Sequence, residues 1–180
     1  MDLAAEDGVA TITAQAIADK VGIAQPTVFR HFRTRDLILQ AVIDWIAEHL
    51  LGMVGKIAAG TGQPEERLRR LIDQQLKFIV RHRGLPRLLF SERLHQENTR
   101  LKQSVRKIMD AYCTLVAGVL REGVETGAFR AELDADETAR LMLALIQGLV
   151  MRWSISDFEF DLTGEAPALW RLLEPALLRT

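Results

Sequence analysis

The sequence predicts an all-α protein of nine helices, three in a small N-terminal unit and six in a larger C-terminal one. Three observations lead there. Apolar residues recur at intervals of three and four, the period at which side chains share one face of a helix. The alternation that a half-buried strand needs survives nowhere for more than a few residues. Capping residues, Thr13, Thr34 and Asp134 among them, stand at the heads of the periodic runs.

In chain order, residues 3–6 followed by Asp7-Gly8 read as the tail of a first helix stopped at a glycine. Thr13 is placed to cap a second, whose Ile17, Ala18 and Val21 form an apolar face. Gly22 falls where the chain must turn, because a residue without Cβ takes a left-handed backbone cheaply. Ile23 is expected to plug the crevice between helices, and a third helix follows with Val28 and Phe32 facing inward. Thr34 and Asp36 suit the head of a fourth, which carries Ile38, Val42, Trp45, Ile46 and His49 on one face. Gly52, Gly55, Gly60 and Gly62, then Pro64, break the pattern and mark a junction.

Pro64 opens a fifth helix striped with Leu68, Leu71, Ile72, Leu76 and Ile79, and Gly84 is expected to end it. A short helix over 85–94, opened by Pro86, precedes a long one over 99–125. The long stripe runs through Leu101, Val105, Ile108, Tyr112, Leu115 and Val119. Asp134 with Glu137 resembles a capping box for the next helix, which passes Leu141, Leu145, Ile146 and Leu149 to reach Trp153. An acidic loop, 157–161, leads to a last helix near 167–178.

Residues 13–36, TAQAIADKVGIAQPTVFRHFRTRD, carry the most information. Two short helices about a glycine-centred turn make a helix–turn–helix, whose second helix places side chains against base edges in the major groove. Between Lys20 and Arg35 stand four Lys/Arg residues and no carboxylate, the asymmetry a phosphate-docking surface requires. The run IAxxxGIxQPTVFRHFRTRDLIL resembles the DNA-binding domain of the tetracycline-repressor (TetR/AcrR) family of transcriptional regulators, whose motif runs IA…aGvs.gtlY.hF..K..L. The match extends over roughly residues 3–50. The resemblance implies a DNA-binding domain at 1–50, including the connecting fourth helix, and an effector-binding and dimerisation domain at 51–180. It also implies two or three further turns of the first helix ahead of Leu3.

Gln25 suits a base edge, most naturally adenine N6/N7, and Thr27 a phosphate or a thymine methyl. Pro26 has no N–H to lose in a first helical turn. By resemblance, Phe29, Arg30 and His31 fall where the family contacts DNA, and Arg35 falls on its phosphate-binding Lys. Thr13 and Gln15 lie, by the same resemblance, where the preceding helix meets the other phosphate strand. Two departures stand out. Ala24 replaces the usual Ser, which removes a side-chain cap, and Phe29 replaces the usual Tyr, which removes a hydroxyl.

The resemblance further implies a homodimer and an effector pocket. The last two helices are expected at the twofold seam, with Leu141, Leu145, Gly148 and Leu149 facing Leu169, Leu172 and Leu173 of a four-helix contact. The middle helices would enclose a small hydrophobic ligand. Phe78, Phe90, Met109, Tyr112, Cys113, Val116 and Met142 supply apolar or adaptable lining, with Arg81, His82 and Gln147 as polar anchors. Ligand binding is expected to swing the fourth helix until the two heads no longer fit adjacent grooves.

Composition sets bounds on this reading. The net charge is −1, and residues 1–50 hold seven Asp/Glu against four Lys/Arg, so DNA attraction must rest on a local patch. One cysteine, Cys113, excludes an internal disulfide and fits a cytoplasmic setting. No cofactor, metal or catalytic constellation is expected. Glu92 and His95 give a single E-x-x-H, which reads as a surface pair rather than half of a two-metal site. The G-x-x-x-x-G-K-[ST] and G-x-S-x-G patterns are missing, and the four histidines lack metal-ligand spacing. The sequence therefore predicts a homodimeric DNA-binding repressor, not an enzyme, released from a palindromic operator by a hydrophobic ligand. The alternative keeps the fold as a DNA-bound division or nucleoid factor whose helical domain binds a protein. A closed apolar cavity favours the first reading, and a filled core with an exposed partner surface favours the second.

Overall fold

The structure is a computed structural model that describes residues 11–91, 94 and 98–178. Eight α-helices lie among the described residues: α1 (Ala14–Val21), α2 (Gln25–His31), α3 (Arg35–Ala58), α4 (Pro64–Arg81), α5 (Gly84–Leu89), α6 (Thr99–Glu125), α7 (Ala135–Ile155) and α8 (Ala166–Leu177). A 3-10 turn, Thr163–Glu165, leads into α8, and no strand occurs among the described residues. The helix expected over 3–8 and the Glu92/His95 pair lie outside them.

The predicted caps form. Thr13 accepts from Ala16 N at 3.0 Å, Thr34 from Leu37 N at 3.3 Å and Asp134 from Glu137 N at 2.8 Å. Asn98 caps α6 in the same way, taking Leu101 N at 3.0 Å. Gly22 adopts φ +74°, and the amides of Gly22 and Ile23 both close on Ala18 O. That closure uses the backbone of Ile23, and its side chain stays 43% exposed instead of plugging the crevice. Val21 is exposed as well, so α1 buries Ala18 and half-buries Ile17.

The glycine junction is shorter than expected. Helix α3 passes through Gly52 and Gly55 to Ala58, and the chain breaks only over 59–63. Each glycine weakens a helix by about 1 kcal/mol relative to alanine. Burial of Ile46 and Val54 in the same helix outweighs that cost. The boundary expected after residue 50 therefore falls inside one continuous helix. The short helix over 85–94 is also curtailed. Gly84 begins α5 instead of merely ending α4, and α5 stops at Leu89. Ser91 lies just beyond, its hydroxyl donating to Leu88 O at 2.8 Å.

Two cores hold the molecule. The larger joins α4, α6, α7 and α8 around Leu68, Leu76, Leu120, Ile146 and Trp153. The smaller ties Ile38, Leu39, Ile43 and Ile46 of α3 to Leu85, Leu88, Leu94 and Leu101, with Ile17 and Phe32 against it. Arg67 is buried beside the larger core and donates to Ala58 O at 2.7 Å and to the Glu122 carboxylate. That bond holds the Glu122 carboxyl below the usual carboxylate range. By length and hydropathy α3 could cross a membrane. Its apolar side chains instead pack on α5 and α6, while Asp44, Glu48 and Lys56 stay exposed.

In the loop after α7, Asp157 and Phe158 take φ +49° and +65°. Stacking compensates for the left-handed backbone. The Phe158 ring meets Trp153 edge-on at 4.6 Å and lies under the Arg87 guanidinium at 5.1 Å.

Candidate DNA-reading and ligand-binding sites

Helix α2 presents Pro26, Phe29, Arg30 and, just past its end, Arg33 at i, i+3, i+4 and i+7, all exposed. Val28 is buried on the opposite side and Phe32 half-buried, as expected of the inward face. Phe29, 46% exposed, belongs to the outer face. Gln25 and Thr27 are half-buried, His31 is exposed, and Arg35 is half-buried at the head of α3. Ala24 makes no side-chain cap. On α1, Thr13 spends an acceptor lone pair on Ala16 N and keeps its hydroxyl proton for an outside acceptor. Gln15 donates one amide hydrogen to Asp19 at 2.7 Å and keeps the other for an outside acceptor.

A cavity of about 350 Å³ lies between α3, α4, α5, α6 and α7. Of the residues expected to line a ligand site, Phe78, Phe90, Met109, Tyr112 and Gln147 do so. His82, Cys113, Val116 and Met142 do not, nor does Arg81. Val116 and Met142 are fully buried in the larger core. Cys113 is one residue round the helix from Tyr112, and burial together with Asp110 raises its thiol pKa. His82 caps the end of α4, where its ring meets Trp45 at 4.9 Å and Phe78 at 4.7 Å.

Several lining residues escaped the sequence reading. Helix α3 contributes Ile43, Ile46 and Leu50, α4 contributes Gln75, and α6 contributes Lys102 and Arg106. The exposed lining residues Phe90, Lys102, Arg106 and Met109 mark the mouth. Deeper in, the Tyr112 hydroxyl donates to Gln75 Oε1 at 2.5 Å. Burial, assisted by Cys113, pushes the Tyr112 phenol well above its usual range, so it stays protonated. No carboxylate lies among the described lining residues. Signals for three of these residues existed: Gln75 is a polar residue inside the α4 stripe, and Lys102 and Arg106 sit four apart beside Leu101 and Val105.

One helix serves both places. Helix α3 starts four residues after α2 ends, packs on Phe32 at its head and lines the cavity three turns later. Asn98 fastens that head to α6: its Oδ1 caps α6 and its Nδ2 donates to Asp36 Oδ2 at 2.7 Å. Gln40 adds a second tie, donating to Ser104 at 3.1 Å.

On the far side, Leu141, Leu145, Gly148, Ile155 and Leu172 leave an exposed apolar strip on α7 and α8. Leu141 and Leu172 are 58% and 63% exposed, and nothing approaches Gly148. Leu149, Leu169 and Leu173 are half-buried against the larger core.

Comparison with known proteins gives a consistent result. The family model for bacterial regulatory proteins of the tetR family matches residues 1–42, and that for the YsiA-like C-terminal region matches residues 46–176. The nucleoid occlusion factor SlmA of Vibrio atlanticus (strain LGP32) is 28% identical over 171 residues, 95% of this chain and 87% of that protein. FadR from Bacillus subtilis, in complex with stearoyl-CoA, superposes with a TM-score of 0.81 at 22% identity, covering 96% of this chain and 92% of its own. A transcriptional regulator from Saccharomonospora viridis, in complex with choline, gives 0.83 at 22% identity, covering 99% and 93%. At these identities the two structures speak to fold alone.

Proposed function

The chain belongs to the tetR family of bacterial regulatory proteins and is a DNA-binding regulator of transcription; from that premise we propose a cytoplasmic homodimeric repressor, released from a palindromic operator by an amphiphilic anion. The observation that carries the reading is the shared helix: α3 roots the reading head and lines the cavity. A ligand that favours one position of α3 shifts the spacing of two heads in a dimer. The exposed strip of α7 and α8 is the surface on which a second copy would sit.

The cavity's chemistry favours an apolar tail with an anionic head. Its walls are aliphatic and aromatic, and its mouth carries Lys102 and Arg106. Stearoyl-CoA, the ligand of the Bacillus subtilis FadR structure, has that form. A quaternary ammonium such as choline would meet two cations and no carboxylate among the described lining residues. The experiment is a gel shift on DNA upstream of the protein's own gene. Stearoyl-CoA should release the complex and choline should leave it intact. DNA binding that no amphiphile alters would overturn the ligand half of the reading.

The relationship to nucleoid occlusion factors supports a second reading, a DNA-bound protein whose helical domain engages another protein. The unfilled core weighs against it, while the cavity's open mouth and the exposed strip of α7 and α8 are surfaces a protein partner could also use.

Two expected outcomes separate the parts. Gln25→Ala should flatten base preference at one position of each half-site, while Arg30→Ala weakens all sequences alike and lowers the salt slope by about one. Titrations at two salt concentrations read both. Asn98→Ala removes the α6 cap and its hold on Asp36. It should cost about 1 kcal/mol of stability, leave unliganded DNA binding nearly intact and blunt release by stearoyl-CoA, measured by melting and by the same gel shift.

A further inference from the structure

Gln75 is the one polar side chain inside the apolar stripe that α4 turns toward the cavity, and only 4% of it is exposed. Its Oε1 is taken by the Tyr112 hydroxyl. Its amide nitrogen, with two hydrogens to give, has no acceptor among the described residues. The nitrogen borders the cavity, where water can reach it, and aliphatic neighbours such as Ile79, Leu143 and Ile146 offer it no acceptor. A plain hydrocarbon tail would displace water from this donor without replacing its bonds.

Resting on the amphiphile reading above, we propose that the effector carries an oxygen, carbonyl or hydroxyl, within its cavity-embedded apolar part, and that Gln75 Nε2 donates to it. Tyr112 orients the carboxamide by holding Oε1, which leaves the nitrogen directed at the ligand. A hydroxyl fits best of all, since it accepts from Gln75 and donates to a free lone pair of the Tyr112 oxygen. Gln75 is thus a specificity residue, and the Lys102/Arg106 mouth serves the head group.

The test titrates the full chain with octadecanoate and with octadecanoates bearing one hydroxyl or keto oxygen at successive positions. At least one oxygenated chain should bind wild type on the order of tenfold more tightly than octadecanoate. Gln75→Leu should erase that preference while binding octadecanoate at least as well, and Tyr112→Phe should reduce it by freeing the carboxamide to rotate. A strut role alone would weaken every probe equally in Gln75→Leu, and that result overturns the proposal. Equal binding of octadecanoate and every oxygenated chain to wild type also overturns it, leaving the amphiphile reading in place. If no probe binds wild type at all, the amphiphile reading fails and this inference fails with it.

Discussion

Leu145→Glu yields a monomer whose affinity for operator DNA falls by on the order of 100-fold or more. Leu145 lies at the middle of the exposed strip, between Leu141 and Gly148 on α7 and opposite Leu172 on α8. A carboxylate there would be stripped of water against leucines from two subunits, with its own twofold copy close by. A single helix–turn–helix buries too little surface to hold one genomic site, so losing the pair loses the operator. Because Leu145 is already exposed within the subunit, the fold should survive and the helical circular dichroism should be unchanged. Sedimentation and gel shift on the same sample check both halves. A variant that remains dimeric would move the seam elsewhere.

Gly123→Ala should be the most damaging alanine substitution among the described glycines. A Cβ on Gly123 would stand 2.0 Å from Cδ2 of Phe129, a ring that is itself fully buried. Neither side can give way cheaply. Phe129 is held by its amide to Gly123 O at 2.9 Å, and the next residue, Arg130, bonds Leu177 O at 3.0 Å. The Arg130 side chain also donates to Leu178 O and Pro175 O, so expelling the ring loosens the end of α8. Overpacking of this kind costs about 3 kcal/mol. For a chain of this size that lowers Tm by roughly 6–12 °C. On the proposed seam, which includes Leu172 of α8, the loss should extend to dimer stability. Thermal unfolding followed by circular dichroism measures it.

The parts of this molecule that periodicity and capping control were legible in the sequence. The α4 stripe, the bounds of α6 and the caps at Thr13, Thr34 and Asp134 follow from local side-chain chemistry, which acts within one helical turn. What tertiary contact decides was harder to read. Gly52 and Gly55 look like breakers until burial of Ile46 and Val54 carries the helix through them, and Ile23 looks like core until its backbone closes the turn. The reading head was legible because its pattern is local and its charge asymmetry is strong. The cavity was half-legible: Tyr112 sits on an expected stripe and Phe78 beside one, but α3 belonged by sequence to the DNA-binding unit. Val116 and Met142 differ from true lining residues only by a turn of helix, which apolarity alone does not resolve.

The most direct test is selection of binding sites from a random pool of duplex DNA by the purified protein. Two rods of α2 held on a twofold axis should enrich an inverted repeat whose half-sites are centred about 10 base pairs apart, or a multiple of that. Gln25→Ala should lose information at the same position of both halves. Recovery of no common sequence, or of a lone half-site with no mirror copy, would contradict the account.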